Sequence, residues 1–405
     1  MWVCGYIMRL TMAKHLSVNR EFVAPPPLRP QRVMEPYLPC WCQSGKKWKW
    51  CHKDRDKQPK INIHERLAAM RSEYQLGYCS HPEASSSTCS DAIIRAHTVQ
   101  RSGGLAAIAE NGHVVSALAG AQDIFRNHGE LLPREVGVRS ASTFLGFCAH
   151  HDSIMFRPAE VGAVGVTEET TFLLSFRSVA YELFMKRVQL RSTIVQREAD
   201  NGLPFETLIT IQNQLHYTEA GVRLGLADLE RWKTSYDEAY KEKRFEDFNF
   251  LGVSFSTVLP VVCCGSFHPE YDFAGGTLQR LGRGPLSYEH VTFNLTVLDG
   301  RSVAVFGWTD VSGPAEAFAL SYGALPASEM AEAAVRLAFE HTENVYLRPS
   351  WWRALPEDLK QAAIRRMATG SPFRPERDAS CLLTDGLSYT DAATVTARFG
   401  RADVP

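Results

Sequence analysis

Cysteine and histidine gather in clusters along the first 152 residues of this 405-residue chain, and these clusters constrain its fold more than any other feature. The tightest is Pro39-Cys40-Trp41-Cys42-Gln43-Ser44-Gly45-Lys46-Lys47-Trp48-Lys49-Trp50-Cys51-His52. Cys40, Cys42, Cys51 and His52 offer three thiolates and one imidazole, the donor set of a tetrahedral Zn2+ site. The Ser44-Gly45 pair permits the tight reversal that brings the chain back to the metal. Four protein ligands close the shell, so the expected site is structural rather than catalytic.

A second set is spread more widely. Cys79-Ser80-His81-Pro82 is followed by Cys89, and later by Phe147-Cys148-Ala149-His150-His151-Asp152. Cys148-x-x-His151 is a knuckle-like ligand pair, and with Cys79 and Cys89 it makes a second Cys3His set. His81 is a rival for one of the places. The expected cofactors are therefore one or two structural Zn2+ ions. Cys4, Cys263, Cys264 and Cys381 have no such company and read as small buried residues.

Charge divides the chain in a way its total of −1 conceals. Residues 1–66 hold 13 Lys and Arg against 5 acids, or +8, leaving −9 for the rest. A basic head can attract nucleic acid or an acidic protein partner. Segment 67–160, which carries the second cluster, is only −2. No apolar run is long enough to span a bilayer, so no membrane association is expected. No signal-peptide h-region is present either, which points to a cytoplasmic protein.

Hydrophobic periodicity organises the remainder. Ala24-Pro25-Pro26-Pro27 stiffens a basic arm over 1–36, expected to be flexible or loosely packed. A zinc knuckle occupies 37–60. A helix is expected over 61–75, with Ile63, Leu67, Met70 and Tyr74 on one face. Phe176, Val179, Ala180, Leu183 and Phe184 mark a second helix, broken at Asn201-Gly202-Leu203-Pro204. Leu208, Leu215, Val222, Leu229 and Tyr236 then recur every seven residues. Segment 170–248 thus reads as an antiparallel helical hairpin, and its heptad spacing leaves room for a homodimer. Asp299-Gly300, flanked by Val291–Leu298 and Ser302–Thr309, is a two-residue β-hairpin signal. Helical patterns return at 315–322, 328–343 and 357–368. The expected fold class is α+β and multidomain: small zinc-stapled N-terminal modules, a long helical hairpin and an α+β domain over 250–405.

Two resemblances add to this reading. Cys40-x-Cys42-x-Ser44-Gly45-Lys46-Lys47-x-Lys49-x-Cys51-His52 resembles the SEC-C motif, in which a Gly usually stands where this chain has Gln43. That resemblance implies zinc binding and a protein-partner role for the basic head. The second cluster is similar to a diverged HNH nuclease core of the treble-clef type, spanning 61–165. By that resemblance His97, ending the apolar strand Ala92–Ala96, is the general base. Asp152 helps to bind a catalytic Mg2+ or Mn2+, and Cys79, Cys89, Cys148 and His151 hold a structural zinc. The implied activity is metal-dependent nucleic-acid endonuclease action in bacterial defence. The alternative reading is a non-catalytic zinc adaptor that recruits a protein through the SEC-C head.

Overall fold

The computed structural model describes residues 25–116, 132–160, 165–281, 288–309, 313–368, 377–390 and 393–400. Most of the basic arm, residues 1–24 with Cys4, lies outside the described residues. The chain is α+β and divides into two compact units. One takes residues 78–182 and those from 232 onward; the other takes 23–77 and 183–231.

The larger unit is built on strands β1 (Ile93–His97), β2 (His113–Ser116), β3 (Arg134–Gly137), β4 (Thr143–Cys148), β5 (Asn249–Phe255), β6 (Val261–Phe267), β7 (Val291–Leu298), β8 (Arg301–Trp308), β9 (Asn344–Leu347) and β10 (Val395–Gly400). Eight of them form one antiparallel sheet in the order β10-β5-β8-β7-β6-β9-β2-β3. The β7–β8 turn is the expected hairpin. Asp299 (φ 48°) and Gly300 (φ 72°) are both left-handed, the conformation a two-residue turn needs to match strand twist.

Every residue of β7 is buried, so the centre of the sheet is covered on both faces, whereas the edge strands β10 and β3 keep exposed residues. Its side chains still alternate in kind. Val291, Phe293 and Leu295 join the main core with helices α5 (Pro314–Gly323) and α6 (Met330–His341). Phe293 and Phe306 lie 4.9 Å apart and Phe306 and Tyr322 4.7 Å, within the range of favourable ring contact. The intervening polar residues serve the other face. Thr292 donates to Ser175 Oγ at 2.7 Å and Ser178 donates to Asn294 Oδ1 at 3.2 Å, tying helix α3 (Glu168–Glu198) to the sheet. Cys263 and Cys264 are buried here as expected; Cys381 is half-buried.

Three expectations from the sequence change. Segment 61–165 does not stay a separate module, because β2 and β3 join the large sheet. Val115 pairs with Leu347 and Ser116 with Tyr346 of β9. Such long-range pairing has no local signature. The expected helix over 328–343 also ends at His341, and Asn344–Leu347 becomes a fully buried strand.

The smaller unit holds helix α1 (Ile63–Glu73), residues 183–198 of α3 and residues 205–231 of α4 (Phe205–Glu242). Arg197 bonds Gln212 and Glu219, and Arg187 bonds Glu230. That order of cross-links is the one an antiparallel hairpin makes. Residues 25–36 are anchored rather than loose. Leu28 is buried among the knuckle residues and its N–H donates to Asn213 Oδ1 at 3.1 Å. Among the described residues, no helix is long and apolar enough to cross a membrane.

Candidate metal centres

The first centre is a short reversal clamped by backbone bonds. Cys40 N–H donates to Lys46 O at 2.9 Å and Trp48 N–H to Leu38 O at 2.8 Å. Between them Gly45 (φ 77°) and also Gln43 (φ 60°) adopt the left-handed conformation. Gln43 occupies the place where the SEC-C pattern usually has Gly, so a side chain stands at a position that costs it energy. A turn of 3-10 helix, Trp48–Trp50, then delivers Cys51 and His52. Trp41 and Trp48 are buried over the site, whereas Trp50 is 70% exposed.

All four donor atoms, from Cys40, Cys42, Cys51 and His52, lie within 4.8 Å of one another. His52 Nδ1 is 3.3 Å from both Cys40 Sγ and Cys51 Sγ, and the Cys42 and Cys51 sulfurs are 3.5 Å apart. Tetrahedral zinc sets N···S near ~3.5 Å and S···S near ~3.8 Å, from its bond lengths. The set is thus close to zinc-ready. Three buried sulfurs and an imidazole crowded this closely, with Ser44 Oγ 3.3 Å from Cys51 Sγ, form a donor set that a thiolate-binding divalent cation satisfies.

A second layer holds His52. Its Nε2 donates to Asp200 Oδ2 at 3.1 Å. Asp200 also accepts from Arg55 Nε and, at 2.7 Å, from Gln212 Nε2. Burial alone would raise the Asp200 carboxyl. The His52 bond, the Arg55 charge and the Gln212 bond outweigh it and hold the group below the usual carboxylate range. This carboxylate fixes the imidazole tautomer that presents Nδ1 to a metal. Arg55, Asp200 and Gln212 carry no motif and were not legible as site residues; the only hint was the helix break at Asn201-Gly202.

The second centre is assembled on a small two-stranded sheet whose strands are far apart in the chain. β1 pairs antiparallel with β4, with Ile93 opposite Cys148 and His97 opposite Thr143. Tyr78 and Ser80 donate their N–H groups to Leu145 O and Gly146 O, which lays Cys79 along β4. Cys148 ends the strand and caps helix α2 (Ala149–Phe156), its sulfur accepting from His151 N–H. Burial works against the Cys148 thiolate, but the backbone N–H of His151, the side chain and backbone of Ser90 and the Cys79 side chain bring the thiol down to about 6.

His151 Nδ1 lies 3.4 Å from Cys79 Sγ, 3.5 Å from Cys89 Sγ and 3.3 Å from Cys148 Sγ. These separations match a tetrahedral Cys3His zinc shell. His81, the rival ligand, stacks on His151 at 4.0 Å instead of joining the donors. His113 is an exposed residue at the start of β2, its Nδ1 bonded to Asn111 O, and it does not join the donor set.

Neither His97 nor Asp152 enters the second donor set. His97 closes β1, and its Nε2 donates to Val138 O at 2.9 Å. Burial lowers its pKa despite that bond, so the ring is neutral. Asp152 sits in the first turn of α2. Its buried Oδ1 makes no hydrogen bond, and burial raises the carboxyl although Arg177 Nη2 stands 3.8 Å away. Arg177 bonds Glu160 at 2.6 Å and lies 3.7 Å over the Phe156 ring. Glu160 and Arg177 were not singled out in the sequence, since neither belongs to a recognisable spacing.

The fold and the two donor sets define a multidomain α+β chain with two Cys3His clusters able to hold zinc. No family model, no curated protein and no solved structure matches it.

Proposed function

We propose that this chain is a zinc-stabilised nucleic-acid endonuclease of the HNH type, with its SEC-C-like knuckle as a separate structural site. The reading is supported above all by His97. It ends β1, whose antiparallel partner β4 runs directly into α2, with a Cys3His cluster at that strand–helix junction. Its Nε2–H is occupied by the Val138 carbonyl. The neutral ring therefore has its lone pair on Nδ1, the arrangement of a general base.

In this proposal His97 Nδ1 takes a proton from the water that attacks phosphorus, as the P–O bond to the leaving oxygen breaks. Asp152, with Glu160 as the neighbouring carboxylate, would hold a divalent cation. A bound Mg2+ or Mn2+ supplies charge stabilisation at the leaving oxygen. Cleavage of DNA or RNA by the purified protein with Mg2+ or Mn2+ tests the reading. His97→Ala is expected to lower the rate by about 10²–10⁴-fold. Equal rates for wild type and variant, or no cleavage by either, would remove the mechanism.

One observation favours a second reading, a non-catalytic zinc adaptor. Arg177 already places a positive charge beside Asp152, where a cation would sit. The head then becomes the working surface: Lys49 Nζ lies 3.9 Å over the Tyr37 ring and 4.3 Å over Trp50, and both rings are exposed. This reading predicts that Mg2+ and Mn2+ leave the melting temperature of the zinc-loaded protein unchanged.

A further inference from the structure

A cavity of about 520 Å³ lies in the larger unit, between the start of α6 and residues Leu382 to Thr390 with Ala393. It is separate from both metal centres, and its size is that of a small-molecule site. Phe273, Leu325, Leu382 and Leu383 give it an apolar wall. Glu329, Glu332 and Arg336 give it charge.

Arg336 is the unusual member. It is only 4% exposed, yet among the described residues it makes one hydrogen bond, from Nη1 to Leu382 O at 3.1 Å. Its buried Nε has no partner. A buried guanidinium with unused donors is costly unless something accepts from it. Glu332, one helical turn earlier, favours the guanidinium charge electrostatically but makes no hydrogen bond to it, and the other neighbouring charges are engaged elsewhere. Arg366 is paired with Asp385 at 2.7 Å, and Glu340 faces Arg366 and Arg377.

Glu332 is in a matching position. Its Oε2 is consumed by the wall of the cavity, accepting from Tyr389 N–H at 2.8 Å and Thr390 N–H at 3.1 Å. Its Oε1 is buried without a partner. Glu329 is exposed at the rim. A phosphate would bring two or so negative charges toward these two carboxylates. A molecule carrying one carboxylate and one ammonium meets all three groups.

We propose that this cavity binds a small zwitterion with an apolar side chain, of the α-amino-acid class. Arg336 takes its carboxylate, Glu332 and Glu329 take its ammonium, and the Phe273–Leu382 wall takes its side chain. The proposal stands whether or not the chain is a nuclease.

Isothermal titration of the full zinc-loaded chain with leucine and phenylalanine tests it. Saturable heat is expected for at least one of them. 4-Methylpentanoate lacks the ammonium and isoamylamine lacks the carboxylate. Each is expected to bind at least tenfold more weakly, a loss of about 1.4 kcal/mol. Arg336→Met is expected to weaken binding by a similar factor or more. Because that change also releases the Leu382 carbonyl, Ser328→Trp at the exposed rim serves as the second variant, blocking the mouth without touching the core. No saturable heat from either amino acid at millimolar concentration overturns the proposal. So does equal binding of the half-analogues, or unchanged affinity in Ser328→Trp.

Discussion

Replacing Asp200 by Asn probes how the first metal centre is held. The Asp200 side chain is fully buried and takes donors on both oxygens: His52 and Gln212 on Oδ2, Arg55 on Oδ1. Asn keeps one acceptor oxygen and puts an NH2 in place of the other. Whichever way the amide turns, a donor then faces a donor. If the lost contact is the His52 bond, the imidazole is no longer fixed with Nδ1 toward the sulfurs. Loss of such an outer partner typically costs about 10–100-fold in metal affinity, or about 1.4–2.7 kcal/mol. A further cost falls on Arg55, whose side chain is only 11% exposed and loses its anion. Breaking a buried pair costs up to about 3–5 kcal/mol, and the partial exposure of Arg55 places this case at or below the low end. The two costs separate experimentally. Competition with a chromophoric chelator reads zinc affinity, and urea unfolding at saturating zinc reads the Arg55 contribution. Zinc affinity within twofold of wild type, alongside a lowered urea midpoint, would refute the claim that Asp200 acts through His52.

Three further outcomes follow from the geometry. Native mass spectrometry is expected to find two zinc ions in the wild type and one in His151→Ala, since that change opens only the second donor set; two ions in the variant would contradict the assignment. A Cβ at Gly45 or Gly221 meets nothing within 4 Å, so alanine at each reports backbone conformation alone. Gly45→Ala, at φ 77°, is expected to destabilise by about 1–2 kcal/mol, and Gly221→Ala, inside α4, to stabilise by about 0.8–1 kcal/mol, both read by urea unfolding. Burial, and then the Arg377 charge, hold His341 well below its usual value, so it is neutral in the fold. The unfolded chain therefore binds more protons as pH falls, and stability drops below about pH 6.5 with a slope of up to ~1.4 kcal/mol per pH unit from this group. The fall in urea midpoint from pH 6.5 to 5.5 is expected to be smaller in His341→Leu; equal slopes would count against it.

The donor residues were legible in the sequence because each short run of ligands is local. Cys40 to His52 needs only one reversal, and Cys148 to His151 only one helical turn. The long helices were legible for a related reason, since burial of one face repeats at a fixed step. The helix expected over 357–368 matches α8 (Glu357–Ala368), with the short helix α7 (Pro349–Ala354) before it. Sheet order was not legible. β2 offers only four residues, and what places it is the complementarity of Val115 and Ser116 with β9. The apolar pattern marks α3 only from Phe176, because Glu168-Glu169-Thr170-Thr171 has no apolar periodicity; Thr167 caps that turn by accepting from Thr170 N–H. Asp200 was missed because its partner His52 is 148 residues away.

The pairing of β2 with β9 also sets a schedule for synthesis. Val115 leaves the ribosome long before Leu347 exists, a delay of roughly 12–46 s at ordinary elongation rates of about 5–20 residues per second. Through that interval β2 and β3 can pair with each other but not with the rest of their sheet. Closing so long a loop comes late and makes folding slow. The knuckle at residues 40–52 needs no such wait. A nascent chain of this protein can therefore take up its first metal early, and it is the waiting strand edge, rather than the metal sites, that a chaperone would have to guard.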